Sequence, residues 1–324
     1  MDFFLILYNS SFAECIRKDH SLSSSNTLLL STIHNNSNNM NTGIISSHQD
    51  IDLSETSGNG PLYTFQSCTF YSLVYSESGG AISCIASSSD YYQPQLTIKE
   101  CLFTSCKSSS GYGGRIYAEG LSSFAVKHTL IFDCHSTTKN GGGLVFSSSV
   151  GFPLLSEISF ISCYARNYYS SADSADDGGG LFISSSAAST ELHYIIQGCR
   201  FISCGCYDWG GGCFLGVSYS VVGCTDSLFA SGKSNNAAAI GIHNDDSQAN
   251  TLIYFCYFCY NIASQIPSDI NINRHAGTFS SSPIIHSFST KDPSRSVYLY
   301  YQWAGYEYRN WLPQTKIDSK FTGA

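Results

Sequence analysis

The sequence predicts an all-β chain wound as a parallel β-helix, a β-solenoid of about seven or more coils with three short strands per coil. Three observations carry this expectation. A block built on Phe-x-x-Cys recurs along the chain, a run of small residues follows every copy but the last, and the residues between are those of strands and turns. A fixed period of this size marks stacked structural units.

The clear copies are Cys101 to Cys106, Ile158 to Cys163 and Cys199 to Cys204, followed by Gly113-Gly114, Gly178-Gly179-Gly180 and Gly210-Gly211-Gly212. Weaker copies surround Phe70, Ile131, Leu228 and Phe258. In the unit of Leu228, Ala237-Ala238-Ala239 replaces glycine, and no glycine run follows Phe258. The central apolar slot reads Phe70, Phe103, Ile131, Phe160, Phe201, Leu228 and Phe258; subtracting neighbouring positions gives 33, 28, 29, 41, 27 and 30. An insertion from Tyr164 to Asp177 accounts for the long interval.

Units of nearly 30 residues also occur in helical arrays, but glycine triplets and serine runs break helices. Val, Ile, Phe, Tyr and Thr favour strands, and the apolar stretches here are short and bounded by Ser, Gly and Asn. Coils stacked ~4.8 Å apart place equivalent side chains in files. One file is the central slot. A second, two residues after each small-residue run, reads Ile82, Ile116, Val145, Phe182, Phe214 and Gly241. Arg115 precedes that slot, so strand alternation turns it outward. Glycine suits the bend because φ is often positive there and a side chain would strike the coils above and below. The three alanines imply that small volume suffices in the sixth unit, with φ still negative.

Composition agrees with one continuous domain. Charged residues make up 12 % of the 324 residues and the formal net charge is −8, with no basic cluster. Nucleic acid is therefore not an expected partner. No stretch reaches the ~18 apolar residues of a membrane span. Residues 1–13 read as either a short signal peptide or an apolar cap, 14–60 as irregular N-terminal coils and a cap, 61–289 as the β-helix, and 290–324 as an aromatic C-terminal cap or tail.

Fourteen cysteines are present. Cys106, Cys134, Cys163 and Cys204 share one slot, and Cys68 and Cys101 another. Two readings stay open: disulfide staples formed in an oxidising compartment, or a file of buried thiols acting as small hydrophobes. Paired Cys-x-x-Cys spacing for zinc is lacking, and no cofactor is expected.

With Gly79-Gly80-Ala81-Ile82 and Phe258-x-x-Asn261 in view, the chain resembles the right-handed parallel β-helix repeats of the polymorphic outer membrane protein family, within the pectin-lyase-like fold. It is also similar to the expanded β-helix surface proteins of parasitic protists. The resemblance covers roughly residues 60–275 and departs from the family in carrying Phe-x-x-Cys in most units. It implies a secreted or cell-surface protein, adhesion, and a host-cell surface protein or glycan as partner.

Within the chain, the binding candidates are Tyr164, Tyr168 and Tyr169 on the insertion, since a long loop on a rigid rod suits recognition. The rival expectation is a polysaccharide lyase or glycoside hydrolase. Its catalytic pair would be Asp177 and Asp208, each just before a glycine run, with Trp209 available to stack on a sugar. Asp173, Asp176 and Asp177 are the weak metal candidates. Asp beside Gly is also ordinary turn chemistry, and the balance favours a non-catalytic protein. His128, His135 and His193 read as solvated residues without spaced partners, and His243-Asn244-Asp245-Asp246 as a second acidic cluster.

Overall fold

The structure, a computed structural model, describes residues 39–45, 49–51, 62–85, 95–137, 139–148, 152–165, 177–185, 192–217, 220–244, 250–264, 269–274, 284–289, 297–303 and 306–311. These residues form a parallel β-solenoid with three sheets and no helix. One representative turn runs through Gln95–Lys99 and Leu102–Thr104 in the first sheet, Lys107–Ser108 in the second and Ile116–Glu119 in the third. About five turns are complete and regular, from Gln95 to Asn244, fewer than the seven or more expected. The outermost rungs of the repeat belong to end turns, where the two strands of the first sheet run together as Leu62–Tyr71 and Asn250–Cys259. Asn39–Ile45 and Gln49–Ile51 add parallel rungs before residue 61. Within the aromatic tail, Val297–Trp303 pairs in parallel with Ile270–Arg274, and Tyr306–Trp311 closes the third sheet as an antiparallel strand.

Strand register fixes which side chains stack. Phe70, Phe103, Ile131, Phe160, Phe201, Phe229 and Phe258 are successive partners. Leu228 is therefore not in the file. It sits one residue away, half-buried on the outer side between Arg200 and Tyr257. With Phe229 in place, the last three intervals are 41, 28 and 29 residues. Adjacent rings lie nearly parallel, at 4.8 Å for Phe160 and Phe201 and 4.7 Å for Phe201 and Phe229. Each such pair adds about 0.5–1.5 kcal/mol beyond its buried area.

The expected second file mixes two. Inside the third sheet the file is Ile82, Ile116, Leu144, Leu181, Cys213 and Ile240. Val145, Phe182, Phe214 and Gly241 align instead with Ser83 and Tyr117, one residue on, and point away from the central core.

Each turn bends at three left-handed positions. One file holds Glu100, His128, Glu157, Gly198 and Asp226; another holds Ser105, Asp133, Ser162, Ser203 and Ser231. The third is the first residue of each small run: Gly79, Gly113, Gly141, Gly178, Gly210 and Ala237. Ala237 has φ 52°, so the expected negative φ is wrong: the backbone bend is retained and alanine bears it. A left-handed L-residue costs roughly 1–2 kcal/mol, partly offset by the lower chain entropy of alanine. Ala237→Gly is accordingly expected to stabilise the fold by about 0.5–1 kcal/mol, read as a higher urea midpoint. The second glycine of the run has a different task. A methyl at Gly179 would strike the carbonyl oxygens of Gly205 and Gly211 on neighbouring strands.

Arg115 is a further correction. It follows Gly113-Gly114 as the third residue of its run, points inward and is fully buried. The same slot holds Gly143, Gly180 and Gly212, where an added methyl would meet the rings of Phe160, Phe201 and Phe229 on the following turn. The turn after Arg115 carries Ile131, whereas Phe103, Phe160, Phe201, Phe229 and Phe258 hold the file on the neighbouring turns. Arg115 thus takes the space a phenyl ring occupies elsewhere. Its guanidinium lies 5.4 Å from the Phe103 ring centre and donates to the carbonyls of Phe70 (3.4 Å) and Phe132 (3.3 Å) and to the Cys134 sulfur (3.2 Å). Its Nε has no partner.

Candidate functional site

The two candidate catalytic carboxylates sit at the start of the glycine turns. Asp177 is buried; its Oδ1 accepts from the Trp209 amide at 3.0 Å, and its own amide donates to Asn140 Oδ1 at 3.1 Å. Asp208 Oδ1 accepts from Asn236 Nδ2 at 2.9 Å, and partial burial pushes its carboxyl up from the ordinary range. Cys206 lies close to both. Its thiol donates to the Trp209 carbonyl at 3.1 Å and is pushed up by burial, then by the two neighbouring carboxylates. The fold thus brings Asp177, Cys206, Asp208 and Trp209 to one corner. Each carboxylate has a bond that ties one turn to the next, the turn chemistry open to Asp beside Gly.

Tyr164 does not belong to the insertion. With Ala165 it forms a strand of the second sheet between His135 and Gly205, and its ring stacks on His135 at 5.6 Å. Burial raises its phenol above the usual value. The insertion narrows to residues 166–176, so Tyr168, Tyr169, Asp173 and Asp176 lie outside the described residues, as do Asp245 and Asp246. Two histidines have partners that sequence spacing missed. His128 Nδ1 meets Glu157 Oε2 at 3.1 Å on the next turn, and His135 Nε2 meets Asp133 Oδ1 at 3.0 Å. His193 is in the strand Leu192–Gln197.

Thirteen of the cysteines lie in described residues, and none of these is joined in a disulfide. Cys106, Cys134, Cys163 and Cys204 follow one another on successive turns, just beyond the phenylalanine file. Their sulfurs bond backbone: the Cys106 sulfur accepts from the Leu73 amide at 3.0 Å, and Cys204 donates to the Phe160 carbonyl at 3.4 Å. Asn261 does this work at the turn of Phe258, accepting from the Gly232 amide at 2.9 Å and donating to the Phe229 carbonyl at 3.1 Å. Phe-x-x-Cys and Phe-x-x-Asn are therefore two solutions to one problem, satisfying backbone groups inside the bend. Among the described residues no group of three or more His, Cys, Asp or Glu is placed to hold a metal ion, and no helix is long and apolar enough to cross a membrane.

Sequence reasoning missed a surface. In the three-residue strands around the phenylalanine file, the middle residue points inward and both flanks point out. Those flanks are apolar on most turns: Leu130 and Phe132, Ile161, Ile202, Leu228 and Ala230, all half-exposed. The preceding strands of the same sheet expose Gln95, Thr97 and Lys99, or Ser123 and Lys127. The signal was present in the sequence as Leu-Ile-Phe and Leu-Phe-Ala, where apolar residues flank an inward one on both sides, and as Ser-Phe-Ile and Arg-Phe-Ile, where one flank is apolar. At the turn of Phe258 the surface widens. Phe255, Tyr257, Tyr260 and Ile262 are 55–73 % exposed. Phe255 and Tyr260 stand in the two left-handed files, where the other turns carry Ser, Gly, His or acids.

Searches of family models, curated proteins and solved structures find nothing similar to the chain.

Proposed function

We propose that the protein is a non-catalytic, right-handed β-helix displayed at or beyond the cell surface, where it presents loops for adhesion or host interaction. The motif resemblance to polymorphic outer membrane protein repeats and to protist surface β-helices points this way. The observation that carries the non-catalytic half is the use of Asp177 and Asp208 as ties between turns. An inverting hydrolase needs a carboxylate pair free to act on an intervening water. The binding half rests on residues 166–176, inserted where neighbouring units have only a few residues before the glycine run and carrying Tyr168 and Tyr169. Tyrosine suits recognition because it offers apolar area and a polar tip.

Replacing Tyr168 and Tyr169 together by Ser is expected to lower attachment to host cells or arrayed glycans at least tenfold, with the circular dichroism spectrum unchanged. Unaltered attachment would remove the loop from the account. A reducing-end and unsaturated-product assay on acidic polysaccharides is expected to give no product. Product from the parent that disappears in both Asp177→Asn and Asp208→Asn would replace this reading with glycan cleavage.

A further inference from the structure

The outer face of the phenylalanine-file strands is mostly apolar, interrupted by Ser159 and the exposed Arg200, and carries exposed aromatics at the turn of Phe258; carboxylates predominate along one border, and Lys107 and Lys233 stand on the other. We propose that this face is the interface between two copies of this chain, packed side by side with their helix axes parallel.

The rims select this arrangement. One edge of the face is the left-handed file with Glu100, His128, Glu157, Gly198 and Asp226; its three acids are exposed, Glu100 beside Lys99 and Glu157 beside His128. The other edge is the outward file of the second sheet, Val74, Lys107, His135, Tyr164, Gly205, Lys233 and Ile262, in which Lys107 and Lys233 carry the positive charge and His135 is bonded to Asp133. A two-fold axis along the solenoid sets each turn against the same turn of the second copy and reverses strand direction. Acidic rim then meets basic rim: Asp226 faces the second copy's Lys233, and Glu100 its Lys107. In the middle, Leu130 packs on the second copy's Phe132 and the aliphatic stem of Arg200 on its Ile202, and at the turn of Phe258 Phe255 meets its Ile262. Such a contact is isologous and closes at two copies. Antiparallel packing about the turn of Phe160 would instead set Glu100 against Asp226 and Lys107 against Lys233. Like charges juxtaposed across an interface act against association.

The area suffices. Tyr71, Phe255, Tyr257 and Tyr260 are 57, 64, 55 and 73 % exposed. At 150–250 Å² per aromatic, these four present roughly 400–600 Å². The half-exposed Leu, Ile and Phe flanks raise the face to the order of 800 Å², one partner's share of a standard interface. Flat sheets also pack face to face readily, at ~10 Å separation.

The test is mass in solution, by light scattering or sedimentation equilibrium at micromolar concentration. The full chain is expected at about twice its 35.2 kDa. Ile202→Lys, in the centre of the face, is expected to give monomer. Lys233→Asp is expected to weaken association about tenfold, by replacing two symmetry-related attractions with repulsions. The swap Asp226→Lys with Lys233→Asp is expected to restore it, which separates a broken interface from a damaged fold. A monomeric parent, or a dimer indifferent to both Ile202→Lys and Lys233→Asp (as end-to-end stacking gives), overturns the proposal.

Discussion

Changing Arg115 to Gly and Ile131 to Phe together is expected to yield a protein at least as stable as the parent, although each change alone destabilises it. The single change Ile131→Phe drives a ring into the space held by the guanidinium, and overpacking of this kind costs about 1–3 kcal/mol. Arg115→Gly alone empties that space, leaving a cavity comparable to truncation of a large core side chain, about 3–5 kcal/mol. Together they recreate the pairing seen at Gly143 with Phe160, Gly180 with Phe201 and Gly212 with Phe229. The double variant also removes a buried charge whose Nε lacks a partner. Exchanging buried charge for packed apolar volume is often neutral or stabilising by about 1–4 kcal/mol. A double-mutant cycle in urea should therefore show coupling of several kcal/mol. Additive effects of the two changes would mean that Arg115 and Ile131 do not share a space.

The second large effect is alkaline unfolding. Burial pushes the thiols of Cys84 and Cys199 up to about 12 and that of Cys106 to about 11, from an ordinary 9.0. The unfolded chain loses these protons near pH 9 while the folded chain keeps them, so folding is fully supported below pH 9 and undermined above it. Each thiol contributes about 1.4 kcal/mol per pH unit in that window. These three alone give a slope of about −4 kcal/mol per unit between pH 9 and 11. Domain stabilities are typically 5–15 kcal/mol, so cooperative loss of the β-sheet spectrum is expected by about pH 11. Urea midpoints measured from pH 7 to 11 would report the slope. A flat profile would indicate that these sulfurs do not titrate in the unfolded chain, as disulfides do not.

The central file was legible because phenylalanine repeats at an interval that stacking preserves. Its one slip, Leu228 for Phe229, arose where two apolar residues adjoin and periodicity cannot choose between them. The third sheet was misread for a more instructive reason. Counting from the last small residue treats Gly113-Gly114 and Gly141-Gly142-Gly143 as ending at the same slot. The physical reference is the first residue, whose positive φ makes the bend. Three positions beyond Gly113, Gly141, Gly178, Gly210 and Ala237 lie Ile116, Leu144, Leu181, Cys213 and Ile240, the true inner file. That count also makes Arg115 the third member of its run, and hence an inward residue. The ties made by Asp177 and Asp208 were not legible, because they join residues 32 and 28 apart through a backbone amide and a side-chain amide. Nor was the outer face, which emerges only once both flanks of each Phe are known to share one side.

Hydrogen bonds between turns run from each strand to the ones above and below, along the rod. A lengthwise pull therefore strains the bonds between two turns collectively, and the column yields by peeling whole turns from an end. In the regular part each turn after the insertion frees 28 or 29 residues, on the order of 100 Å of slack chain. Stretched between two anchors, the molecule would act as a ratcheted tether, short and stiff until a threshold and then lengthening in nearly equal steps.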